Sequence, residues 1–370
     1  MVTLNHLTVE DADDGSPLLH EAAEDATPTP VFHRQRVIPK IDSRECFLSR
    51  YISGEPCLQS AASDRMLLDI HLSNLFFYHF LSHTKPLSIL NHLKPLSCSA
   101  GLVDIPVFVQ QDRHVPWDLS PPLGLRGSEE HLALALASLP QPGLPPSLRT
   151  DGSCRRCVVV GNGGVLHGSH LGSHIDQYDI IIRLNNAPVP GFERDAGSRT
   201  TIRLIYPEGA PHSEIEYEKT TMVALVVFKS LDLAWLTSVI TKQPLSFWSK
   251  MWFWREVVDD IPLRPESFRI LHPEIIHKTG QVLQKYALKQ GNMVPTLGAI
   301  AVVMALQLCD QVSLAGFGYD MRHPEARLHY YESMRMGTMK AQVVHDVSAE
   351  KLFLRDLVAA GAVTDLTGAL

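Results

Sequence analysis

The chain lacks a long apolar run. The strongest candidate, residues 66–81 (MLLDIHLSNLFFYHFL), falls short of the roughly 20 apolar residues of a membrane span and carries Asp69 and His71. The N-terminus offers no basic stretch followed by an apolar core, so no signal peptide is legible. Positive charge is in deficit: 33 Lys and Arg stand against 40 Asp and Glu, for a net charge of -7. A general nucleic-acid binder would carry the opposite balance. Six cysteines in 370 residues are too few for a disulfide scaffold. No Asn-x-Ser/Thr sequon occurs, and no internal repeat. What remains, 45% apolar and 20% charged residues, is ordinary for a globular protein of one large or two modest domains.

The chain falls into two textures. Residues 1–115 mix acidic and proline-rich stretches (EDADDGSPLL, ATPTPVF) without a sustained period, which predicts a stem-like, partly disordered region. Residues 116–370 are expected to form the folded domain. EEHLALALASL, residues 129–139, reads as a helix. Beyond Cys154, strand-length apolar runs occur at 156–161, 179–184, 201–206, 222–228, 267–271 and 312–317. Helical segments alternate with them at 231–241, 247–259, 274–288, 297–309 and 349–360. Continuous Val/Ile/Leu strands separated by helices predict a parallel sheet buried on both faces. The expected fold is α/β: a Rossmann-like, doubly wound, mainly parallel sheet with helices on both faces.

Three segments carry candidate binding groups. In CVVVGNGGVLHG the first strand ends at Gly161, and Asn162, Gly163 and Gly164 turn the chain. Glycines there allow a phosphate or ribose to approach the backbone N–H groups. The turn is not G-x-G-x-x-G, because Leu166 replaces the third glycine, nor a P-loop; the alternative is a packing turn without a ligand. Asn185 ends the second strand, where open α/β sheets bind ligands, or else forms an Asx turn before Pro188. Pro295, Thr296, Leu297 and Gly298 open an apolar helix. Its N-terminus suits a phosphate, although proline and threonine are also ordinary capping residues.

Two of the 18 histidines stand out by their company. His329 begins HYYE, shortly after the strand end GFGY (316–319). His345 precedes a capping pattern from Ser348 to Glu350 at the start of the last helix. Both sit on loops at element ends, where catalytic groups are commonly placed.

These segments, in this order, resemble the sialylmotifs of glycosyltransferase family 29, the animal sialyltransferases. Residues 157–201 resemble the large motif and 294–312 the small one. HYYE resembles the third motif, and His345 with Glu350 the very small motif, H-x4-E. The resemblance runs from about Trp117 to the C-terminus. YPEGAP (206–211), FWSKMWFW (247–254), RILHP and VSLAGFGYD place it with the β-galactoside α-2,3 branch and its glycolipid-acting members. Those members carry a histidine where this chain has Asp195.

The resemblance implies an inverting transfer of sialic acid from CMP-sialic acid to the 3-hydroxyl of a terminal galactose. A glycolipid such as lactosylceramide, in ganglioside synthesis, is the expected acceptor; glycoprotein galactose is the alternative. His345 matches the family's general base, and His329 would stabilise the departing phosphate. Asn162, Gly163, Asn185, Thr296, Leu297 and Gly298 match the donor site. Tyr206 and Glu332 belong to the sugar or acceptor side. No cofactor or metal is expected: the one Asp-x-Asp, Asp11-Ala-Asp13, lies in the stem-like region. A non-catalytic glycan- or CMP-binding relative would not need both histidines. A dehydrogenase would want the missing third glycine and an acidic residue closing the second strand.

The family joins the positions of Cys157 and Cys309 by a disulfide, and Cys154 is expected to pair with Cys57 or Cys98. The family also implies a type II membrane protein of the Golgi lumen, with membrane association through an anchor not visible in this sequence. The segment Trp248–Trp254 suits a lipid-linked acceptor or membrane surface, but its periodicity favours a core helix.

Overall fold

Strands rich in Val, Ile and Leu on both faces need cover on both faces, and helices supply it. The computed structural model describes residues 106–110, 115, 117–140, 145, 148, 154–287, 294–320, 322–341 and 345–370. Residues of the presumed stem up to 105 therefore lie outside the described residues. Among the described residues one parallel sheet forms, from β1 (Arg156–Val160), β2 (Ile180–Leu184), β3 (Thr200–Ile205), β4 (Thr220–Leu225), β5 (Phe268–Ile270), β6 (Gln311–Ala315) and β7 (Thr364–Asp365). Its order is β5-β4-β3-β2-β1-β6-β7. The chain winds outward from β1 to β5, then returns to place β6 on the other side of β1. In register, Cys157 pairs with Ile180 on one side and Val312 on the other.

The helices are α1 (Glu129–Ser138), α2 (Gly172–Ile175), α3 (Glu193–Ala196), α4 (Ser230–Thr241), α5 (Phe247–Lys250), α6 (Pro273–Leu283), α7 (Leu297–Leu308) and α8 (Val347–Ala359). The core is layered about the sheet. One cluster joins α6, α7 and α8 to alternate residues of the strands, including Val159, Ile182, Leu204 and Leu314. A second joins α1 and α4 to Ile205, Val223, Leu225 and Ile270. A third, around Val158, Ile181 and Tyr330, lies beneath α2 and α3. α7 is buried nearly all round, as expected of a helix without a polar face. Residues before 115 already join this body: Phe108 bridges Leu271, and the Val109 amide donates to the Ile270 carbonyl at 2.9 Å.

Several expectations need correction. The segment 247–259 is not a helix: α5 stops at Lys250, and turns follow. Nor is it core, for Trp248, Trp252 and Trp254 are exposed. Phe253 and Val257 insert, with Val258 partly buried beside them, and the four-residue spacing of the first two imitates helical periodicity without a helix to support it. The last helix is capped by Asp346, whose carboxylate accepts from the Ala349 amide, and not by Ser348. α6 ends at Leu283, short of residue 288. β7 has only two residues, too few for a periodic signal.

Candidate active site

The sheet reverses its winding between β1 and β6, and ligands of open α/β sheets bind at the strand ends beside such a switch. The glycine turn lies there. The Gly161 amide donates to the Ala315 carbonyl at 2.8 Å, and that of Gly163 to Gly316 at 2.9 Å. A Cβ on Gly163 would stand 2.5 Å from the Gly316 oxygen, so a side chain at this position would push the two strand ends apart.

The HYYE segment is stitched to the same turn. Gly163 bridges His329 in antiparallel fashion, and the Tyr330 amide donates to the Asn162 carbonyl at 3.0 Å. His329 stacks on Tyr331 with centroids 5.3 Å apart, and its Nδ1 is paired with Glu332. Glu332 thus orients His329. Tyr330 is buried, and its hydroxyl donates to the Pro188 carbonyl at 2.5 Å. One segment therefore holds both the turn after β1 and the turn after β2.

Asn185 closes β2 in the left-handed region, at φ 50. Its conformation is set by groups that sequence reasoning did not single out. Arg203, buried within β3, donates from Nη1 to the Asn185 carbonyl at 2.8 Å and to Ala187 at 3.0 Å. Its Nη2 reaches buried Glu216 at 3.0 Å. Glu216 also accepts from the Val189 amide. An arginine inside the apolar strand TTIRLI is the signal that was there to be read. The amide oxygens of Asn162 and Asn185 are both buried without a hydrogen-bond partner among the described residues. Buried acceptors without partners are uncommon, which makes these two candidates for accepting a ligand's donors.

Tyr206 follows β3, packed edge-on against Phe228 at 5.4 Å. Burial raises its hydroxyl pKa, Glu208 adds to this, and the Arg255 charge opposes it. The backbone of Gly209 lies against the Asn185 amide and the Tyr206 ring, too close for a Cβ.

The N-terminus of α7 is capped by Thr296, whose hydroxyl accepts from the Ala299 amide. Gly298 faces Phe317 and Leu184, which places this N-terminus over the ends of β6 and β2. Glu350, buried on α8, binds the Thr296 amide at 2.7 Å and its hydroxyl at 2.5 Å. Burial pushes the Glu350 carboxyl up to about 7, against the pull of the Thr296 bonds. His345 lies just before α8, and its Nδ1 sits 2.8 Å from the Val294 carbonyl. A carbonyl only accepts, so Nδ1 carries the proton and Nε2 is the basic nitrogen.

Asp195 does another job. Its carboxylate accepts from the Gly168 amide at 2.7 Å and from His170 at 2.9 Å. Both residues have positive φ, 77 and 56, so the carboxylate clamps a left-handed turn. Burial disfavours its charge, but the two amide bonds prevail and hold its carboxyl below the ordinary value.

Cys157, at the start of β1, is bonded to Cys309, at the end of α7, with Cα atoms 6.0 Å apart. Cys154 is disulfide-bonded as well, and its two expected partners, Cys57 and Cys98, lie outside the described residues. No group of three or more His, Cys, Asp or Glu among the described residues is arranged to hold a metal ion. None of their helices is long and apolar enough to cross a membrane.

Residues 107–362 match glycosyltransferase family 29 (sialyltransferase). The chain belongs to this family. It is 44% identical over 277 residues to human lactosylceramide alpha-2,3-sialyltransferase, covering 72% of this chain and 66% of the relative. It is 44% identical over 254 residues to the mouse CMP-N-acetylneuraminate-beta-1,4-galactoside alpha-2,3-sialyltransferase, covering 68% and 67%. The chain thus spans about two thirds of the length of these relatives. A crystal structure of a mammalian sialyltransferase superimposes with a TM-score of 0.57 at 29% identity, over 71% of this chain and 90% of that one. Another, in complex with Gal-beta-1-3GalNAc-ortho-nitrophenol, gives 0.56 at 28% identity, with the same coverage.

Proposed function

We propose that this sialyltransferase transfers sialic acid from CMP-sialic acid to the 3-hydroxyl of a terminal galactose, on a glycolipid such as lactosylceramide. One observation carries the reading. Two unpartnered buried amide oxygens, a capped helix N-terminus and two histidines with fixed ring orientation meet the same strand-end edge.

In this reading Asn162 and Asn185 hold the cytidine nucleotide through hydrogen bonds to its donors. The N–H groups of Leu297 and Gly298, at the positive end of α7, face the phosphate. The galactose 3-hydroxyl attacks the anomeric carbon from the face opposite the phosphate. A new carbon–oxygen bond forms, and the bond to the phosphate oxygen breaks with its electron pair leaving on CMP. The hydroxyl proton passes to Nε2 of His345. His329, oriented by Glu332, stabilises the negative charge that grows on the phosphate. Configuration at the anomeric centre inverts. Tyr206 flanks the sugar. The reaction needs no metal, because a monophosphate leaving group carries less charge than a diphosphate.

The oxidised Cys157–Cys309 pair supports residence in an oxidising compartment, here the Golgi lumen. The test is incubation with CMP-sialic acid and a panel of lactosylceramide, galactosylceramide and lactosamine glycans, following CMP release. The expected result is release with lactosylceramide and a product cleaved by an α-2,3-specific sialidase. Binding of CMP without turnover on any acceptor would refute it.

A further inference from the structure

Five large apolar side chains stand in solvent on one short segment: Phe247 at 72% exposure, Trp248 at 74%, Met251 at 63%, Trp252 at 79% and Trp254 at 69%. Isolated exposed apolar residues are normal, but a contiguous aromatic group marks an interaction surface. The segment is built to hold this display. Ser246 caps α5 by accepting from the Ser249 amide at 3.1 Å. Lys250 is tied to Asp259 at 2.6 Å. Phe253 turns inward and is buried, with the Lys229 ammonium 4.4 Å from its ring centroid. The aromatic group is therefore presented on an anchored turn.

Its position connects it to the acceptor side. Lys229 also pairs with buried Glu208 at 2.8 Å, two residues beyond Tyr206. Arg255 lies over the Trp254 ring at 5.2 Å, and its charge acts on the Tyr206 hydroxyl.

We infer that this segment docks the enzyme on a lipid bilayer, its tryptophans seated in the headgroup region beside the acceptor sugar; this rests on the lipid-linked acceptor proposed above. The chemistry favours a bilayer over a second copy of the chain. Tryptophan partitions to the membrane interface, with an apolar ring and a polar N–H, and arginine and lysine suit the same depth. The five side chains offer roughly 800 Å², which would also suffice for one side of a protein interface, so the choice rests on the tryptophans and their charged neighbours rather than on area. Charges in the segment nearly balance, Lys250 and Arg255 against Glu256, Asp259 and Asp260 in the sequence. Docking is thus driven by apolar insertion and needs no anionic lipid. A glycolipid can then offer its galactose while its ceramide stays in the bilayer.

The test uses the full chain and its Trp248→Ala/Trp252→Ala/Trp254→Ala variant, with phosphatidylcholine vesicles. Wild type should co-float with the vesicles and shift its tryptophan emission to the blue. The variant should bind at least about 100-fold more weakly. Transfer to lactosylceramide in those vesicles should fall about tenfold or more, while transfer to free lactose in solution stays unchanged. Trp252→Glu alone should reproduce the vesicle defect, and both variants should keep the wild-type Tm. Equal vesicle binding by wild type and variants would overturn the inference. So would a parallel loss on both acceptors, or a wild-type dimer that the triple substitution turns into monomer. If no acceptor is sialylated by any form, the function fails, but vesicle binding still decides the docking surface.

Discussion

His345 and His329 differ in what holds them, and that difference predicts different kinetics. The His345 ring is held at Nδ1 by the Val294 carbonyl, and in the proposed mechanism Nε2 is the base toward the acceptor. His345→Ala should lower transfer by roughly 10² to 10⁴-fold with CMP binding nearly intact, as measured by turnover and calorimetry. Near wild-type turnover would remove it from the mechanism. His329→Ala should instead weaken the donor side, raising KM for CMP-sialic acid and lowering kcat; unchanged donor kinetics would end that role. Glu350 supplies a pH prediction. Its folded carboxyl stands near 7 against an ordinary 4.5, so the folded state holds a proton more tightly than the unfolded one. The stabilisation is full below about 4.5 and is lost as pH rises toward about 7, on the order of 3 kcal/mol. Glu350→Gln should flatten this slope in urea unfolding at a series of pH values. Parallel slopes for wild type and variant would contradict the assignment.

At the scale of elements, two ties hold the site's parts in place. Arg203 on β3 fixes the turn after β2 through the Asn185 and Ala187 carbonyls, balanced by Glu216. Glu216→Gln would leave a buried guanidinium without its counter-charge, at a cost of about 3–5 kcal/mol. Guanidinium unfolding should report that loss, and CMP affinity should fall with it because Asn185 loses its fixed backbone. Stability within about 0.5 kcal/mol of wild type would show that the pair is not buried as described. The second tie is Cys157–Cys309, which joins the strand bearing the glycine turn to the helix whose N-terminus faces the same edge. Its ends are 152 residues apart, so its loss should cost roughly 5 kcal/mol by loop-closure entropy. Cys157→Ala/Cys309→Ala should lower the Tm sharply, and an unchanged Tm would argue against the bond.

For the whole molecule, the site is an assembly of strand ends and loops that are far apart in sequence, so ligand binding should stabilise the entire domain. CMP at about 100 times its Kd should raise unfolding free energy by about 2.7 kcal/mol. The Asn162→Ala/Asn185→Ala double variant should lose most of that gain at the same CMP concentration while remaining folded, as thermal unfolding would report. A full CMP shift in the double variant would remove the two amides from the donor site.

The sequence alone determined most of the alternation of strands and helices, because short Val/Ile/Leu runs bounded by turn residues read as buried strands and the longer segments between them as helices. It also placed the glycine turn, Asn185, the α7 N-terminus and both histidines at element ends. Motif order led to the family. Other features depend on partners remote in the chain, and no local pattern encodes those. Asp195 clamps His170, Glu350 holds Thr296, and Arg203 sets Asn185, across 25, 54 and 18 residues. The tryptophan segment misled for the same reason. Its four-residue spacing from Phe253 to Val257 is compatible with a core helix. In the structure Phe253 packs against Lys229 while the remaining aromatics stand in solvent, an arrangement that local spacing does not encode.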